Sequence, residues 1–396
     1  MVAKTVKRIV GLGLCLALWS LPSFAAQSQT HASLLTWNSS QQKYGYRHME
    51  KLFPTHLVKR GSWVRPLPTA KSQISPRWTW DGKSYDVDTY MSAMRTSGVL
   101  VLKDGQIALE RYGLDRRPSE RWTSFSVAKS VTSTLIGAAI SDGKIKSLDE
   151  PVTTYIPQLA GSAYEGVSVR QLITMTSGVK WNEDYTDPNS DVARAGSDVP
   201  EPGINPIVSY MRRLPREAAP GSKFVYKTGE TDLAGVLISN AVGQSLSDYL
   251  SAKIWVPAGM GRDAIWMSDT AGHERGGCCM SMTLRDYGRL GLFILEGGKI
   301  GNRRVVPQDW VSDATTAHVK FAGHEASDYA PDTGYGYFWW INSDGYSAEG
   351  IFGQQIFVFP KEHLVIAINS AWPVADNPKL WAAQAAFARA IQTAVK

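Results

Sequence analysis

Apolar and polar positions follow different patterns in three parts of the chain. Residues 99–112 form two strand-like runs around Asp104-Gly105, a combination typical of a β-hairpin. The pattern then becomes helical at residues 169–175, 207–213, 231–242, 246–254 and 283–295. Strand patterns return at residues 334–341, 353–359 and 364–369, and a last helix is expected at about 378–394. We therefore predict one sheet assembled from both ends of the chain, with an inserted lobe that is mostly helical.

The same patterns suggest how the chain is organised. Residues 27–78 are polar and interrupted by proline, so we expect an extended lead-in there. The remaining residues, 79–396, are expected to form one domain of two lobes. The sheet lobe is predicted at 79–147 and 283–396, and the helical lobe at 148–282. A cleft between the two lobes is the expected position of an active site.

Residues 1–26 have the pattern of a secretory signal peptide. Lys4, Lys7 and Arg8 form its basic start, residues 9–21 are apolar, and small residues suitable for cleavage follow at Ala25-Ala26. The apolar run is too short to span a membrane comfortably, and stable membrane insertion is not expected. The mature protein is therefore expected in the periplasm or outside the cell.

Charge and cysteine content exclude several classes of protein. The formal net charge is +6, and removing the three basic residues of the leader leaves +3, with no basic stretch that would suggest a nucleic-acid partner. The two cysteines outside the leader, Cys278 and Cys279, are adjacent. Adjacent cysteines rarely bond to each other, so no disulfide framework is expected. The sequence pattern does not specify an oligomeric state.

Candidate chemistry lies at the start of an apolar helical run. Ser126 and Lys129 are three residues apart, so their side chains share one helix face. A lysine in apolar surroundings loses proton affinity and can take the proton of a serine hydroxyl. The helix N-terminus directs backbone N–H groups towards developing negative charge. This arrangement predicts acyl transfer through an acyl-serine.

The Ser-x-x-Lys pattern alone is weak evidence because it occurs four times in this chain. The other three occurrences lie in a polar lead-in, at a helix end and at a glycine: Ser40/Lys43, Ser141/Lys144 and Ser177/Lys180. Only Ser126 precedes a long apolar helix. An alternative interpretation is structural, with Ser126 as a helix cap and Lys129 reaching solvent. The seven histidines show neither metal spacing nor a triad context, and no metal or cofactor is implied.

Several blocks in order resemble the class C β-lactamase-related serine hydrolases. They are Ser126-x-x-Lys129, Leu172–Gly178, Phe224-Val-Tyr226 through Asp232, Gly276-Gly277 before residues 283–291, and Ala348-Glu349-Gly350 through Gln354. The resemblance covers roughly residues 95–390. It implies an α/β (α+β) fold of the β-lactamase/transpeptidase type, with an antiparallel sheet flanked by helices.

The resemblance also implies roles for individual residues. Tyr226 corresponds to the tyrosine that helps Lys129 deprotonate Ser126 and then protonates the leaving group. Because a tyrosine beside cations can have a lowered pKa, we expect a lowered pKa for Tyr226. The oxyanion hole would be formed by the backbone N–H groups of Ser126 and Ile351. Gly350 would let the strand approach the substrate closely.

A narrower resemblance concerns the 6-aminohexanoate-dimer hydrolase branch of this family. It rests on residues 181–188 and on the block from Gly350 to Gln354. By this resemblance Tyr185 closes over the cleft and contacts the amide leaving group, and Gly350 and Gln354 belong to the substrate site. Members of the branch cleave small linear amides and short esters, and the expected partner is therefore a small-molecule ester or amide.

Two departures from the family pattern bear on the substrate. Residues 348–350 read Ala-Glu-Gly where β-lactamases usually have Lys-Thr-Gly or His-Thr-Gly, and Thr228 replaces an asparagine. Glu349 would repel a β-lactam carboxylate, so efficient β-lactam hydrolysis is not expected. Two alternatives remain open: a peptidoglycan-directed D-amino-acid peptidase or weak β-lactamase, and a catalytically silent binding protein on the same fold.

Overall fold

The computed structural model describes Met1 and residues 34–322 and 332–396. Apart from Met1, the predicted signal peptide lies outside the described residues. The strands are β1 (Thr55–Val58), β2 (Trp78–Trp80), β3 (Lys83–Tyr85), β4 (Thr96–Lys103), β5 (Gln106–Tyr112), β6 (Arg121–Thr123), β7 (Ala264–Met267), β8 (Met280–Thr283), β9 (Lys299–Ile300), β10 (Arg303–Arg304), β11 (Val319–Lys320), β12 (Gly334–Tyr335), β13 (Trp340–Ile341), β14 (Tyr346–Gly350), β15 (Gln354–Phe359) and β16 (Leu364–Ser370). The α-helices are α1 (Ser39–Gly45), α2 (Val87–Ala93), α3 (Val127–Ser141), α4 (Val169–Ile173), α5 (Asp191–Arg194), α6 (Pro206–Met211), α7 (Thr228–Val242), α8 (Leu246–Leu250), α9 (Leu284–Leu295), α10 (Trp310–Ala314) and α11 (Pro378–Ala394).

The main sheet contains strands from both ends of the chain, as predicted. Its order is β11-β12-β13-β14-β15-β16-β4-β5, and every neighbouring pair is antiparallel. The hairpin of β4 and β5 pairs through β4 with β16, for example Val101 with Ile366. The sheet therefore joins an early hairpin to the last strand of the chain.

Side chains of the central strands alternate between two hydrophobic layers because successive residues of a strand point to opposite faces. Leu100 and Leu102 belong to a large core that also contains the apolar faces of α3 and α9. Val99 and Val101 belong to a second core, which α11 covers with Phe387 and other apolar residues. Helices thus bury both faces of the sheet, in agreement with the predicted fold class.

The segment predicted as one strand at 334–341 is instead two short strands. β12 and β13 pair with each other, and Phe338 in the connection has a φ of +59°. Aromatic residues continue from Tyr335 through the connecting turn to Trp340, with only Gly336 between them. The sequence pattern could not separate the two.

The lead-in also differs from the expectation of an extended segment. It contains helix α1, and β1 joins a second sheet of order β1-β7-β8-β6. Tyr46 and Met49 are fully buried in a third hydrophobic cluster, next to Phe125. The region therefore contributes to the core directly behind the start of α3.

Helix α3 is the element that positions the candidate site. Residues 127–139 are all buried, and the helix packs against α7 on one side and β14 on the other. A helix that is apolar on every side is typical of the centre of a large protein. The N-terminus of α3 lies where the helical part of the chain meets the main sheet.

Candidate active site

Ser126 lies immediately before α3 and does not act as a helix cap. Its backbone has φ −70° and ψ −5°, and its side chain accepts no capping hydrogen bond. The preceding Phe125 has a φ of +43°, a strained conformation that non-glycine residues seldom adopt. Because the Ser126 side chain lines a cavity, the structural interpretation of this serine is wrong.

Lys129 does not reach solvent, in contrast to the structural interpretation. The residue is only 1% exposed, and Nζ donates hydrogen bonds to Thr228 Oγ1 at 2.8 Å and to the Gly277 carbonyl at 3.0 Å. Burial lowers the pKa of the Lys129 ammonium to about 8, against the opposing effect of the Glu183 and Asp232 carboxylates. A lysine in this state is poised to accept a proton near neutral pH.

Tyr226 lies close to both residues. Lys129 Nζ is 5.1 Å from the centroid of the Tyr226 ring, and Tyr226 lines the same cavity as Ser126. The expectation of a lowered Tyr226 pKa is wrong. Burial, reinforced by the Glu183 carboxylate, raises the pKa of Tyr226 well above its usual value, and the nearby Ser126 hydroxyl offsets this only in part. Tyr226 therefore remains protonated and is suited to donating a proton.

The end of β14 lies against the backbone of the turn that carries Ser126. A Cβ atom added to Gly350 would lie 2.4 Å from the Ser124 carbonyl oxygen and 2.9 Å from the Ser126 nitrogen, which is too close for any side chain. Within the described part of the chain, neither the Ser126 N–H nor the Ile351 N–H donates to a protein acceptor. Two unpaired amides beside a serine hydroxyl form an arrangement that can hold an oxyanion.

Thr228, at the start of α7, connects the lysine to the loop that contains Tyr185. Its hydroxyl accepts from Lys129 and donates to Glu183 Oε1, while its backbone N–H donates to Glu183 Oε2 at 2.9 Å. Glu183 also accepts hydrogen bonds from Trp181 Nε1 and, at 2.9 Å, from the Tyr185 hydroxyl. One carboxylate therefore fixes both the base and the loop tyrosine.

A second carboxylate supports Lys129 from the other side. Asp232 forms a buried ion pair with Arg275 at 2.7 Å and accepts from the Gly277 N–H at 2.8 Å. The Gly277 carbonyl is the second acceptor of Lys129. Because breaking a buried ion pair is costly, this chain of contacts holds the carbonyl firmly in place.

The two cysteines differ from the expectation. Cys278 and Cys279, directly after Gly277, are joined by a disulfide between adjacent residues. Cys279 has a φ of +67°, and this turn of the backbone brings the two side chains together. Both residues are buried.

Gln354 is not part of the substrate site, in contrast to the expectation. It is fully buried, and its Nε2 donates to the carbonyls of Ile351, Phe352 and Ser370. It does not line the cavity. Its amide holds the turn between β14 and β15, so its effect on the site is confined to positioning Ile351.

The serine opens into a cavity of about 430 Å³ whose wall includes Tyr185, Tyr226 and Gly350. The predicted nucleophile, loop tyrosine and oxyanion strand therefore share one wall. Among the described residues that line the cavity, five are carboxylic acids and none is Lys, Arg or His. These acids are Glu183, Asp184, Asp332, Glu349 and Asp376. Aromatic rings of Trp340 and Trp381 complete the wall.

The described residues contain no group of three or more His, Cys, Asp or Glu side chains arranged to hold a metal ion. They also contain no helix with the length and apolar character needed to cross a membrane.

Residues 86–389 match the family model described as Beta-lactamase. The chain belongs to the Beta-lactamase family. It is 29% identical over 368 residues to the 6-aminohexanoate-dimer hydrolase of Paenarthrobacter ureafaciens, covering 90% of this chain and 91% of that protein. A structure of a proposed 6-aminohexanoate-dimer hydrolase from Bacillus anthracis is similar with a TM-score of 0.78 and 21% identity, covering 94% and 96% of the two chains. The D-aminopeptidase of Brucella anthropi is 32% identical over 184 residues, which cover 44% of this chain and 33% of that protein.

These comparisons confirm the family resemblance, and the protein is a hydrolase of the Beta-lactamase family. Sequence reasoning brought together Ser126, Lys129 and Tyr226, but it missed Glu183. The signal was present, since Glu183 lies two residues before Tyr185 in the block that carried the narrower resemblance. Its importance depends on contacts with Thr228 and Lys129, which are distant in sequence.

Proposed function

We propose that this Beta-lactamase family member is a serine hydrolase that cleaves carboxylic esters or small linear amides through an acyl-serine. The observation that carries the proposal is the state of Lys129, which is buried, hydrogen-bonded on two sides and next to Ser126 and Tyr226. A buried lysine with a pKa of about 8 is a suitable base for a serine hydroxyl.

The proposed reaction begins when neutral Lys129 takes the proton of Ser126. Ser126 Oγ then bonds to the substrate carbonyl carbon, and the N–H groups of Ser126 and Ile351 stabilise the oxyanion. Tyr226 gives its proton to the leaving oxygen or nitrogen as the bond breaks, and Lys129 returns a proton to Tyr226. Water then releases the acid from Ser126 in a second round of the same proton transfers.

The cavity favours this reaction over β-lactam hydrolysis. Glu349 occupies the strand position where β-lactamases usually have threonine beside a cationic residue, and no cation lines the described cavity wall. A β-lactam carboxylate would therefore meet repulsion. Similarity to the P. ureafaciens enzyme supports small linear amides as substrates, alongside short esters. The basic and apolar start of the sequence supports the further proposal that the protein acts in the periplasm or outside the cell.

The test compares p-nitrophenyl acetate and butyrate hydrolysis by the wild type and by Ser126→Ala. Ser133→Ala is the matched control, because Ser133 lies buried on the same helix and its hydroxyl has no partner among the described residues. We expect a burst and turnover in the wild type and in Ser133→Ala, and background rates in Ser126→Ala. Equal rates in all three proteins would refute the ester hydrolase proposal.

A positive result would lead to amides, including linear 6-aminohexanoate oligomers. The D-amino-acid peptidase alternative is tested by labelling with a fluorescent penicillin. The partial similarity of this chain to the B. anthropi D-aminopeptidase makes this alternative worth a separate measurement. Stable labelling of Ser126 together with absent ester turnover would favour it.

A further inference from the structure

Asp332 stands out among the residues that line the cavity. The residue is only 8% exposed, yet no described residue donates a hydrogen bond to its carboxyl group or pairs with it as an ion. An unpaired carboxylate in such a position is costly, unless it holds a proton or meets a positive charge. Burial raises the pKa of Asp332 well above its usual value, and the charge of Glu349 raises it further.

Glu349 lines the same cavity and lies in β14 directly before Gly350, the last residue of the strand. One of its oxygens, Oε1, accepts hydrogen bonds from the Ser347 hydroxyl and from Gln355 Nε2. No described residue donates to its other oxygen, Oε2. Among the described residues, the cavity wall therefore carries two carboxyl groups with acceptor atoms that no described residue uses, together with three more acids and no Lys, Arg or His.

The aromatic part of the wall adds a second feature that suits a cation. Trp340 and Trp381 line the cavity with these carboxyl groups, and Trp340 stacks on Tyr226 with ring centroids 5.5 Å apart. The faces of aromatic rings attract alkylammonium groups, and the attraction strengthens away from water. An anionic substrate would meet repulsion from every charged group of the described wall.

We propose that Asp332 and Glu349 form a subsite that binds a positively charged group of the substrate, an alkylammonium, and thereby select cationic esters or amides. This inference rests on the proposed hydrolase function and adds the charge of the substrate to it. When the cation binds, the proton held by the carboxyl pair leaves to solvent, and the pair carries the compensating negative charge.

The test uses substrate pairs of the same shape that differ in one charge. For the acyl side, p-nitrophenyl 4-(trimethylammonio)butanoate is compared with p-nitrophenyl 5,5-dimethylhexanoate, in which carbon replaces nitrogen. For the leaving-group side, acetylthiocholine is compared with S-(3,3-dimethylbutyl) thioacetate. The quaternary ammonium has no N–H, so the charged esters cannot cyclise. We expect the wild type to prefer the charged member of one pair by roughly tenfold or more in kcat/KM.

Asp332→Asn and Glu349→Gln remove the two charges while conserving shape. We expect each to reduce the charged-to-neutral ratio of kcat/KM towards one, and the neutral ester reports in each variant whether the site is folded. Asp184→Asn is the control for a general effect of charge, because Asp184 is exposed on the same cavity. It should change the ratio much less. An unchanged ratio in both Asp332→Asn and Glu349→Gln would overturn the proposal, as would a wild type without preference in either pair.

The dependence on pH supplies a readout that a purely structural role would not give. Burial raises the pKa of Glu349 to about 7, and the groups that face it are the carboxyls of Asp332 and Asp376 and the hydroxyl of Tyr226. Because the carboxylate forms as pH rises, the charged-to-neutral ratio should increase through pH 7 in the wild type. The increase should be absent in Glu349→Gln.

Failure of the hydrolase proposal is distinguishable from failure of the subsite. If the wild type cleaves none of the four esters, binding is measured directly by calorimetry with choline and with its neutral analogue 3,3-dimethylbutanol. Choline binding that weakens in Asp332→Asn and Glu349→Gln would support the subsite without catalysis. Equal affinity for choline and 3,3-dimethylbutanol would overturn the subsite.

Discussion

Thr228→Val is the substitution that most directly tests how Lys129 is held. Valine has nearly the shape of threonine but lacks the hydroxyl that accepts from Lys129 Nζ at 2.8 Å and donates to Glu183. Nζ would keep a single described acceptor, the Gly277 carbonyl. Leaving a buried polar group without a partner costs about 1–3 kcal/mol. If this cost falls on the transition state, kcat/KM drops roughly 5- to 150-fold.

The substitution should also shift the pH dependence of kcat/KM, and the direction of the shift follows from the contact that Lys129 loses. Hydrogen bonds from an ammonium are stronger than those from a neutral amine, so the Thr228 hydroxyl stabilises protonated Lys129. Without it the pKa of Lys129 falls further below about 8. In the proposed mechanism, activity requires the neutral amine of Lys129 and therefore increases as pH rises through this pKa. The rising limb of the kcat/KM profile should therefore lie near pH 8 in the wild type and at lower pH in Thr228→Val.

The assay is the pH profile of kcat/KM for p-nitrophenyl butyrate between pH 5.5 and 9.5. Thr228→Ser is the matched control, because serine keeps the hydroxyl, and we expect it to retain the wild-type profile. Thr228→Asn tests whether the amide usual in the family can replace the hydroxyl. A Thr228→Val enzyme with both the wild-type rate and the wild-type limb would show that the contact to Lys129 has no role in catalysis.

Three further predictions follow from the site. Gly350→Ala should reduce kcat by roughly 10²- to 10³-fold, the usual effect of losing an oxyanion donor, because the added Cβ would overlap the Ser124 carbonyl. Circular dichroism checks that the variant is folded, and a kcat near that of the wild type would contradict the reasoning. Tyr185→Phe should lower kcat/KM for amides by up to about tenfold, because one hydrogen bond to Glu183 is lost. The measurement uses matched ester and amide substrates. A larger loss would indicate that Tyr185 itself transfers a proton to the amide leaving group. Gln354→Leu should lower the free energy of unfolding by about 1–3 kcal/mol in urea denaturation, because three carbonyls lose their donor; unchanged stability would contradict this assignment.

The parts of the site that sequence predicted are those determined by local geometry. A helix places residues three apart on one face, so Ser126 and Lys129 could be paired without a structure. Tyr226 was identified through its motif, although its pKa was predicted to be lowered and is instead raised. The error arose because cations were expected to dominate, whereas burial and Glu183 set the pKa in the folded protein.

The parts that sequence could not predict depend on contacts between distant segments. Thr228 was noticed as a departure from the family, but only the fold shows that its hydroxyl joins Lys129 to Glu183. Gln354 followed a motif directly and was therefore assigned to the substrate, while its amide points into the protein. Asp332 has no motif at all, and the proposed role follows from its burial without a partner among the described residues.

The insertion of β16 between β15 and β4 has a consequence for the order of folding. The apolar residues of β4 are fully buried in the finished protein, and they pair with a strand that is synthesised more than half a chain later. Such long-range pairing is slow, and until it occurs β4 exposes an unpaired apolar edge. Gly350 and Ile351 arrive equally late. In the proposed mechanism, the serine encoded in the first third of the chain would therefore gain the Ile351 oxyanion donor only when the last quarter has folded, so an incomplete chain would carry the proposed nucleophile without the means to use it.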